Sequence, residues 1–499
     1  MKTVVMALAL VLVLAGTCPA QPGDTVTLGF GRLPFSLEPH MRELLARLVG
    51  TNIFDELVRR NTRGELEPAL ATSWKQVSDT VLEFKLRRGA RFHNGDVLTP
   101  DDVKYSFDRA LDPAKKLTWA GQLRGIKAVQ VIDADTVRVV TEKPYPALLV
   151  YLTGFAIVPR KHIEKVGDQA FAAAPVGTGP WRFVDWKRDQ FIRLEAFDDH
   201  WRGKAPFRHL VVRALPDVST RMAELKTGGI DLVFWPPVDL IPELAHQPHL
   251  QISSVPGGRV HYVALDMRYP PFDKKLVRQA ANYAIDKQAL IQKLMGGRAI
   301  QCATVLAPLT FGFDPEVPPY PYDAKKAREL LAQAGYPNGV DITLHAASLN
   351  YQANFEAISQ MLSDVGIRTT TKRWEFGPIW FKFFQGEGKA TNGYYWDLSN
   401  AALDPHAPLH ALYHTEPGGW VGKWYARVPG LDALIDQGQT TADPAQRKHV
   451  YAQLQRLIRD EAPTIFLFAQ HQTLAMSKRL EYQARADESL WMFDAKVKR

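Results

Sequence analysis

The alternation of apolar and polar positions sets out the first elements of the chain. After Asp24 the run TVTLGF, residues 25–30, alternates as a strand and ends in the Gly/Pro loop GRLPF. The stretch MRELLARLVGTNIFDELV, residues 41–58, follows with helix-like spacing. VLEFKLR (81–87) and TVRVVTE (136–142) read as strands from their alternation and β-branched content, with Gly89 and Asp133-Ala134-Asp135 as turn signals. In LTPDDVKYSFDRAL, residues 98–111, the grammar is that of a helix start. Thr99 stands at the N-cap, Pro100 at the first helical position and Asp102 three residues after the cap, with Val103, Phe107 and Leu111 on one face. The paired acids Asp101 and Asp102 therefore read as capping groups and not as a general acid and base. From Asp273 to Gly297 apolar residues recur at helical spacing through Val277, Ala281, Ala284, Leu290 and Leu294, which predicts one long amphipathic helix or two, stopped by Gly296 and Gly297. PTIFLFAQHQ, residues 463–472, is short and apolar enough for a buried strand.

Composition changes this picture at the N-terminus. Residues 1–20, MKTVVMALALVLVLAGTCPA, hold one basic residue, an apolar run from Val4 to Ala15 too short to span a bilayer, and then small residues. This is the pattern of a cleaved export signal, with Ala20 just before the cut and Gln21 as the expected first residue. A lipid anchor at Cys18 is the less favoured alternative, because Ala15 stands where lipoprotein signals have Leu. No later run is long and apolar enough to suggest a membrane helix, so a periplasmic location is expected. Cys302 is then the one cysteine left, which excludes an intramolecular disulfide and a Cys-based zinc site. The formal charge of +8 falls to about +7 with the loss of Lys2, and the basic residues are scattered, so nucleic acid is not an expected partner. With 499 residues and no repeat or low-complexity linker, two large lobes joined by ordered crossing strands are expected.

Four collinear stretches carry a resemblance. They are residues 52–111, beginning NIFDELVRRNTRGELEP; PVGTGPWRFVDW, residues 175–186; PPFDKKLVRQAANYAIDKQALI, residues 270–291; and LDPHAPL, residues 403–409. FDDHWRGKAPF and LPDVSTRMAELKTGGIDLV lie between the second and third. In order and spacing they resemble the extracytoplasmic solute-binding proteins of family 5, which serve peptide, nickel and related ABC importers. The resemblance implies an α/β, two-lobed, hinged periplasmic-binding-protein fold of the large peptide-binding type, with an extra subdomain in lobe one. It places lobe one at 21–54, 176–262 and 471–499, the subdomain at 55–175, and lobe two at 263–470, with crossing strands near HYVALDM (261–267) and TIFLFAQ (464–470). The implied activity is transport reception and not catalysis. The implied partners are a small-molecule or oligopeptide ligand and the permease subunits, with their ATPases, of an importer; no cofactor is expected, and the chain is expected to be a monomer.

In similar proteins the segment matching GYYWDLSNAALDP, residues 393–405, lines the cleft, which makes Trp396, Tyr394 and Tyr395 ligand candidates. Period-two alternation requires that at least one of the three face the core. Dipeptide-binding relatives place an Asp where this chain has Ala401, beside Asn400, and an Arg in the loop matching HAASLNYQANF, residues 345–355, where Leu349 and Asn350 stand instead. Both charged anchors of a free dipeptide are thus absent, simple dipeptides are not the expected ligand, and the expected lining is rings and amides: Asn350, Tyr351, Trp374, Trp396, Asn400 and Trp420, with Arg373 as the nearest anion partner. Such a lining suits oligopeptides, modified peptides, opine-like conjugates or glycosides. His406, His410 and His414 fall at i, i+4, i+8, so a metal-chelate receptor is an alternative, although the expected metal set is none because no Glu or Cys completes it. A secreted hydrolase using Asp397 and Asp404 is the alternative of a different class, without a GxSxG, HExxH or Gly-rich phosphate loop to support it. The glycines of GTGPW (177–181) read as a turn, and Arg278 as a helix-surface or lobe-packing residue.

Overall fold

A computed structural model describes residues 24–347, 351–375, 392–415, 422 and 427–498. Two long antiparallel strands, Leu250–Leu265 and Thr464–Ser477, run through the middle of a mixed 11-stranded sheet. On one side the sheet continues through Leu232–Phe234, Thr25–Phe30, His209–Ala214, Phe191–Ala196 and Trp181–Lys187. On the other it continues through Gly393–Leu398, Val340–Ala347 and Ile367–Trp374, while Ala299–Gln301 pairs with the second long strand. The result is a two-lobed α/β body whose lobes share the long strands.

Each lobe has its own core. On the first side Val26, Leu28, Leu194, Val212 and the wholly buried Trp181 pack together. The second lobe has a core on each face of its sheet, one around Tyr262, Tyr394 and Phe466 and the other around Val263, Tyr395 and Leu467. Side chains of this size each contribute roughly 1.5–3 kcal/mol on full burial. A separate four-stranded sheet, in the order Ala71–Ser78, Val81–Leu86, Thr136–Thr141, Ile126–Asp133, packs on the helix Pro100–Leu111 around Phe84 and Phe107.

The capping residues act as the sequence requires. The Thr99 backbone N–H donates to the Asp102 carboxylate at 2.9 Å, and the other Asp102 oxygen accepts from the Arg160 backbone at 2.9 Å. The expected helical stretch at 273–297 is two helices, Lys275–Ala284 and Lys287–Leu294. Arg278 is buried and donates to the Glu461 and Phe272 carbonyls at 2.9 Å each, so it ties elements together.

The helix-like stretch 41–58 is only partly helical, since the helix ends with Leu44–Gly50 and Val58–Arg60 is a strand. The backbone after Gly50 is committed elsewhere: Trp181 and Gly179 donate to the Asn52 and Ile53 carbonyls, and Ile157 donates to that of Asp55. The Asn52 side chain donates to the Leu490 carbonyl at 2.8 Å and accepts from the Met492 N–H at 2.9 Å. These long-range bonds satisfy the groups that a longer helix would have paired internally. They also account for Gly177 and Gly179, where an added Cβ would lie 2.0 and 2.6 Å from the Ile53 carbonyl group.

Where the chain passes between lobes, the ladder is irregular. Pro256 pairs with His471 and the next pair is Val260 with Ala469, so three residues oppose one. Gly257 and Gly258 sit in this bulge, where an added Cβ would lie 2.7 Å from the Gln470 carbonyl oxygen and 2.5 Å from that of Asn400. The bulge lets the long strand press against the loop that follows Gly393–Leu398. Among the described residues no helix is long and apolar enough to cross a membrane.

Candidate functional site

A cavity of about 150 Å³ opens where distant segments meet. One wall comes from residues 39–56, including Arg42, Arg47, Phe54 and Glu56; Trp119, Tyr151 and Gly154 add a second; Ser399, Asn400, Ala401 and Ala402 form the third, with Arg259 between them. Asn400 is therefore in the interlobe cavity, and its side chain reaches toward Thr310 Oγ1 at 3.4 Å.

Below this cavity lies a buried ionic network. Arg259, projected by the bulge, donates to both Glu488 oxygens at 2.9 Å each and pairs with Asp397. Glu488 also receives Arg47 at 3.3 Å, Ser399 at 2.8 Å and Gln472 at 2.9 Å. Burial opposes the charge on Arg259, but Glu488 and Asp397 outweigh it and hold the guanidinium pKa above its ordinary value. For Arg47 burial prevails and the pKa is lowered, with Glu488 opposing. Two arginines thus balance two carboxylates, and both Glu488 oxygens are used as acceptors.

A second polar chain lies deeper. His261 contacts the Tyr395 hydroxyl at 2.8 Å through Nδ1 and the Gln470 amide oxygen at 2.6 Å through Nε2, while the Tyr351 hydroxyl donates to that same oxygen at 2.8 Å. Because the amide oxygen only accepts, Nε2 carries the proton and Nδ1 accepts from Tyr395. Burial lowers the His261 pKa, which keeps this ring neutral.

The expected ligand residues divide between places. Tyr351, Arg373, Tyr395 and Trp396 come together around a small cavity of about 30 Å³ on lobe two. Arg373 already pairs with Glu356 at 2.6 Å on an exposed rim. Tyr394 is wholly buried beside Tyr262 and lines neither this cavity nor the interlobe one. The Trp374 indole donates to His345 Nδ1 at 3.0 Å and is not among the lining residues of either cavity. Asn350 and Trp420 lie outside the described residues.

The alternative chemistries find no assembled site. Asp404 is gripped by Arg447 at 2.8 and 3.0 Å, and Asp397 is taken up by Arg259, so the two carboxylates do not face one another as acid and base. His406 and His410 lie on the helix His406–Tyr413, with ring centroids 5.3 Å apart, and His410 stacks on His414 at 4.6 Å. Burial pulls His406 down to about 3 and His410 down to about 4, the behaviour of packed neutral rings. Among the described residues no group of three or more His, Cys, Asp or Glu side chains could hold a metal ion. A larger cavity of about 620 Å³ shares Ala402 with the interlobe one, but its Arg447, Arg485 and Arg60 are already engaged by Asp404, Asp487 and backbone carbonyls.

Sequence reasoning did not single out Arg42, Arg47, Glu56, Trp119, Arg259 or Glu488. Arg42, Arg47 and Glu56 stand in a stretch that reads as an ordinary amphipathic helix, and nothing in their spacing signals a shared cavity.

Comparison with known proteins places this geometry. Residues 65–420 match the profile of the bacterial extracellular solute-binding proteins, family 5 middle region. Heme-binding protein A of Haemophilus influenzae is 31% identical over 80% of this chain and 78% of its own length. The glutathione-binding protein GsiB of Escherichia coli K12 is 29% identical over 95% of this chain and 94% of its own. The periplasmic binding protein DppA of Helicobacter pylori, associated with an ABC transporter and solved with the peptide STSA, superposes with a TM-score of 0.86 at 26% identity, covering 96% of this chain and 98% of that one. A two-lobed body with polar groups converging between its lobes is the architecture of a receptor that captures a solute without transforming it, and the chain belongs to the bacterial extracellular solute-binding proteins, family 5, the substrate-binding components of ABC importers.

Proposed function

We propose that this receptor is exported to the periplasm, captures a peptide-like or similar polar organic solute between its lobes, and hands it to the permease of an ABC importer as a monomer. The observation that carries the reading is the interlobe cavity, whose walls come from both lobes above an ionic floor of Arg259, Glu488 and Asp397. A solute touching both walls favours the closed arrangement by its differential affinity, which gives the permease a shape to recognise. The reading takes lobe one as 21–54, 176–262 and 471–499, the subdomain as 55–175 and lobe two as 263–470, with Trp396, Tyr395 and Tyr351 as an aromatic flank, Asn400 as a hydrogen-bonding group and Arg373 at the rim. The leader pattern of residues 1–20 supports export.

The relatives named above bind a peptide, glutathione or heme by their own descriptions, which supports an organic solute of that range for this chain. The test is a thermal-unfolding screen of the mature protein against short peptides, glutathione, heme, opines and glycosides, followed by recovery of each stabilising compound. A true ligand at a hundredfold excess over Kd stabilises by about 2.7 kcal/mol and is recovered unchanged. Chemical turnover of the stabilising compound would overturn the reading.

A further inference from the structure

The interlobe cavity is lined by two groups of opposite charge, Arg42 and Glu56, that no salt bridge holds. Arg259 and Arg47 are balanced by Glu488 and Asp397, but Arg42 and Glu56 stand outside that balance. Among the described residues, neither the Arg42 guanidinium nor the Glu56 carboxylate is in a salt bridge, and the Glu56 carboxylate accepts a hydrogen bond from its own backbone N–H. Both remain open to solvent, Arg42 exposed and Glu56 partly so.

Their backbones are fixed. The Arg42 N–H donates to Thr118 Oγ1 at 2.7 Å, and the guanidinium sits 6.0 Å from the ring centre of the buried Trp119. Glu56 forms an isolated β-bridge with Ala156, and its carbonyl accepts from Leu70. Both side chains therefore leave anchored positions and border the same space. Burial is the leading influence on each: it lowers the Arg42 pKa and raises that of Glu56 to about 7. Tyr151 and Arg47 act on Arg42, whereas on Glu56 the nearby Arg59, a hydrogen bond from its own backbone and Arg485 favour the carboxylate and Asp55 opposes it, so the two charges are not set against one another. Across the cavity the lobe-two wall offers Ser399, Asn400, Ala401 and Ala402, with no free charge.

Resting on the receptor reading above, we propose that the wall opposite lobe two reads the ligand's charges: Glu56 holds an ammonium group and Arg42 a carboxylate of one zwitterionic solute. The Glu56 carboxylate is held in a partly desolvated wall, where its charge is unfavourable, and a ligand ammonium reduces that cost on binding; the exposed Arg42 adds attraction for a carboxylate. The charged anchors missing from lobe two are thereby supplied from the other side of the cleft. Only ionised Glu56 attracts an ammonium, so affinity falls as pH drops below about 7, where the free carboxylate takes up a proton. Arg42 stays charged throughout, and its contribution does not change over that range.

The test uses the full mature protein, with Glu56→Gln and Arg42→Gln variants checked for unchanged cooperative unfolding. Binding is measured by calorimetry for free di- to pentapeptides and glutathione, for their N-acetylated, C-amidated and doubly blocked forms, and for neutral glycosides. The expected result is zwitterion binding that N-acetylation weakens by roughly tenfold to a hundredfold in the wild type and hardly at all in E56Q, with amidation and R42Q coupled in the same way. Wild-type affinity for the free peptide should also fall by that same factor in total as pH drops from about 7 to about 5, a dependence absent from E56Q. Equal affinity for free and blocked forms, binding of glycosides alone, or unchanged affinity in both variants would overturn the charge assignment while leaving the receptor reading intact. Failure of these solutes to bind, together with no stabilising compound in the thermal screen, would overturn both.

Discussion

Arg259 shows how one residue couples the cleft to the hinge. It is projected by the bulge at Gly257 and Gly258 and shared between Glu488 and Asp397, with the guanidinium 4.6 Å from the Trp235 ring centre. Replacing it with Met leaves two carboxylates facing each other with one fewer cation, and Glu488 is almost wholly buried. R259M should lose about 3–5 kcal/mol of stability, read as a lower urea midpoint at unchanged slope; a loss under 1 kcal/mol would show that Arg47 and Gln472 suffice to hold Glu488. At this scale the sequence was only partly legible. Alternation in residues 393–398 placed Tyr394 and Tyr395 on opposite faces, but both faces of this sheet are packed, so alternation could not separate core from ligand surface. Arg42 and Glu56 were illegible for a different reason, because lacking a partner is a property of the folded cavity and not of spacing.

Local elements were more legible where the signal was local. The helix Pro100–Leu111 begins where the Thr99, Pro100 and Asp102 grammar places it, because capping bonds involve residues three apart. The stretch 41–58 misled because its later half is held by bonds to residues 157, 179, 181 and 490, over a hundred positions away, which no short window contains. PTIFLFAQHQ reads as a short apolar strand, whereas the strand covers the 14 residues Thr464–Ser477, because its second half pairs with Leu250–Pro256. The bulge after Pro256 depends on close backbone approach. Gly258→Ala would drive a Cβ to 2.5 Å from the Asn400 carbonyl oxygen and 2.7 Å from Leu403, so the loop at 399–403 must move. The variant should lose about 1–3 kcal/mol and bind solute more weakly, as read by denaturant titration and calorimetry together. Unchanged binding beside the stability loss would place that loop outside the ligand's reach.

For the whole molecule, the four collinear stretches carried the fold, and the cleft did not follow from any of them. Its walls come from residues 39–56, 119–156, 259 and 399–407, which meet only because the long strands bring the lobes together. On the function proposed above, a solute that bridges these walls biases the two lobes toward closure. Hydrogen exchange with mass spectrometry, run on the mature protein with and without a solute that stabilises it in the thermal screen, tests this most directly. Capture between the lobes should slow exchange at both walls together, residues 39–56 and 399–407, and in the long strands around 256–260. Slowing confined to one lobe, or centred away from these segments, would contradict capture between the lobes.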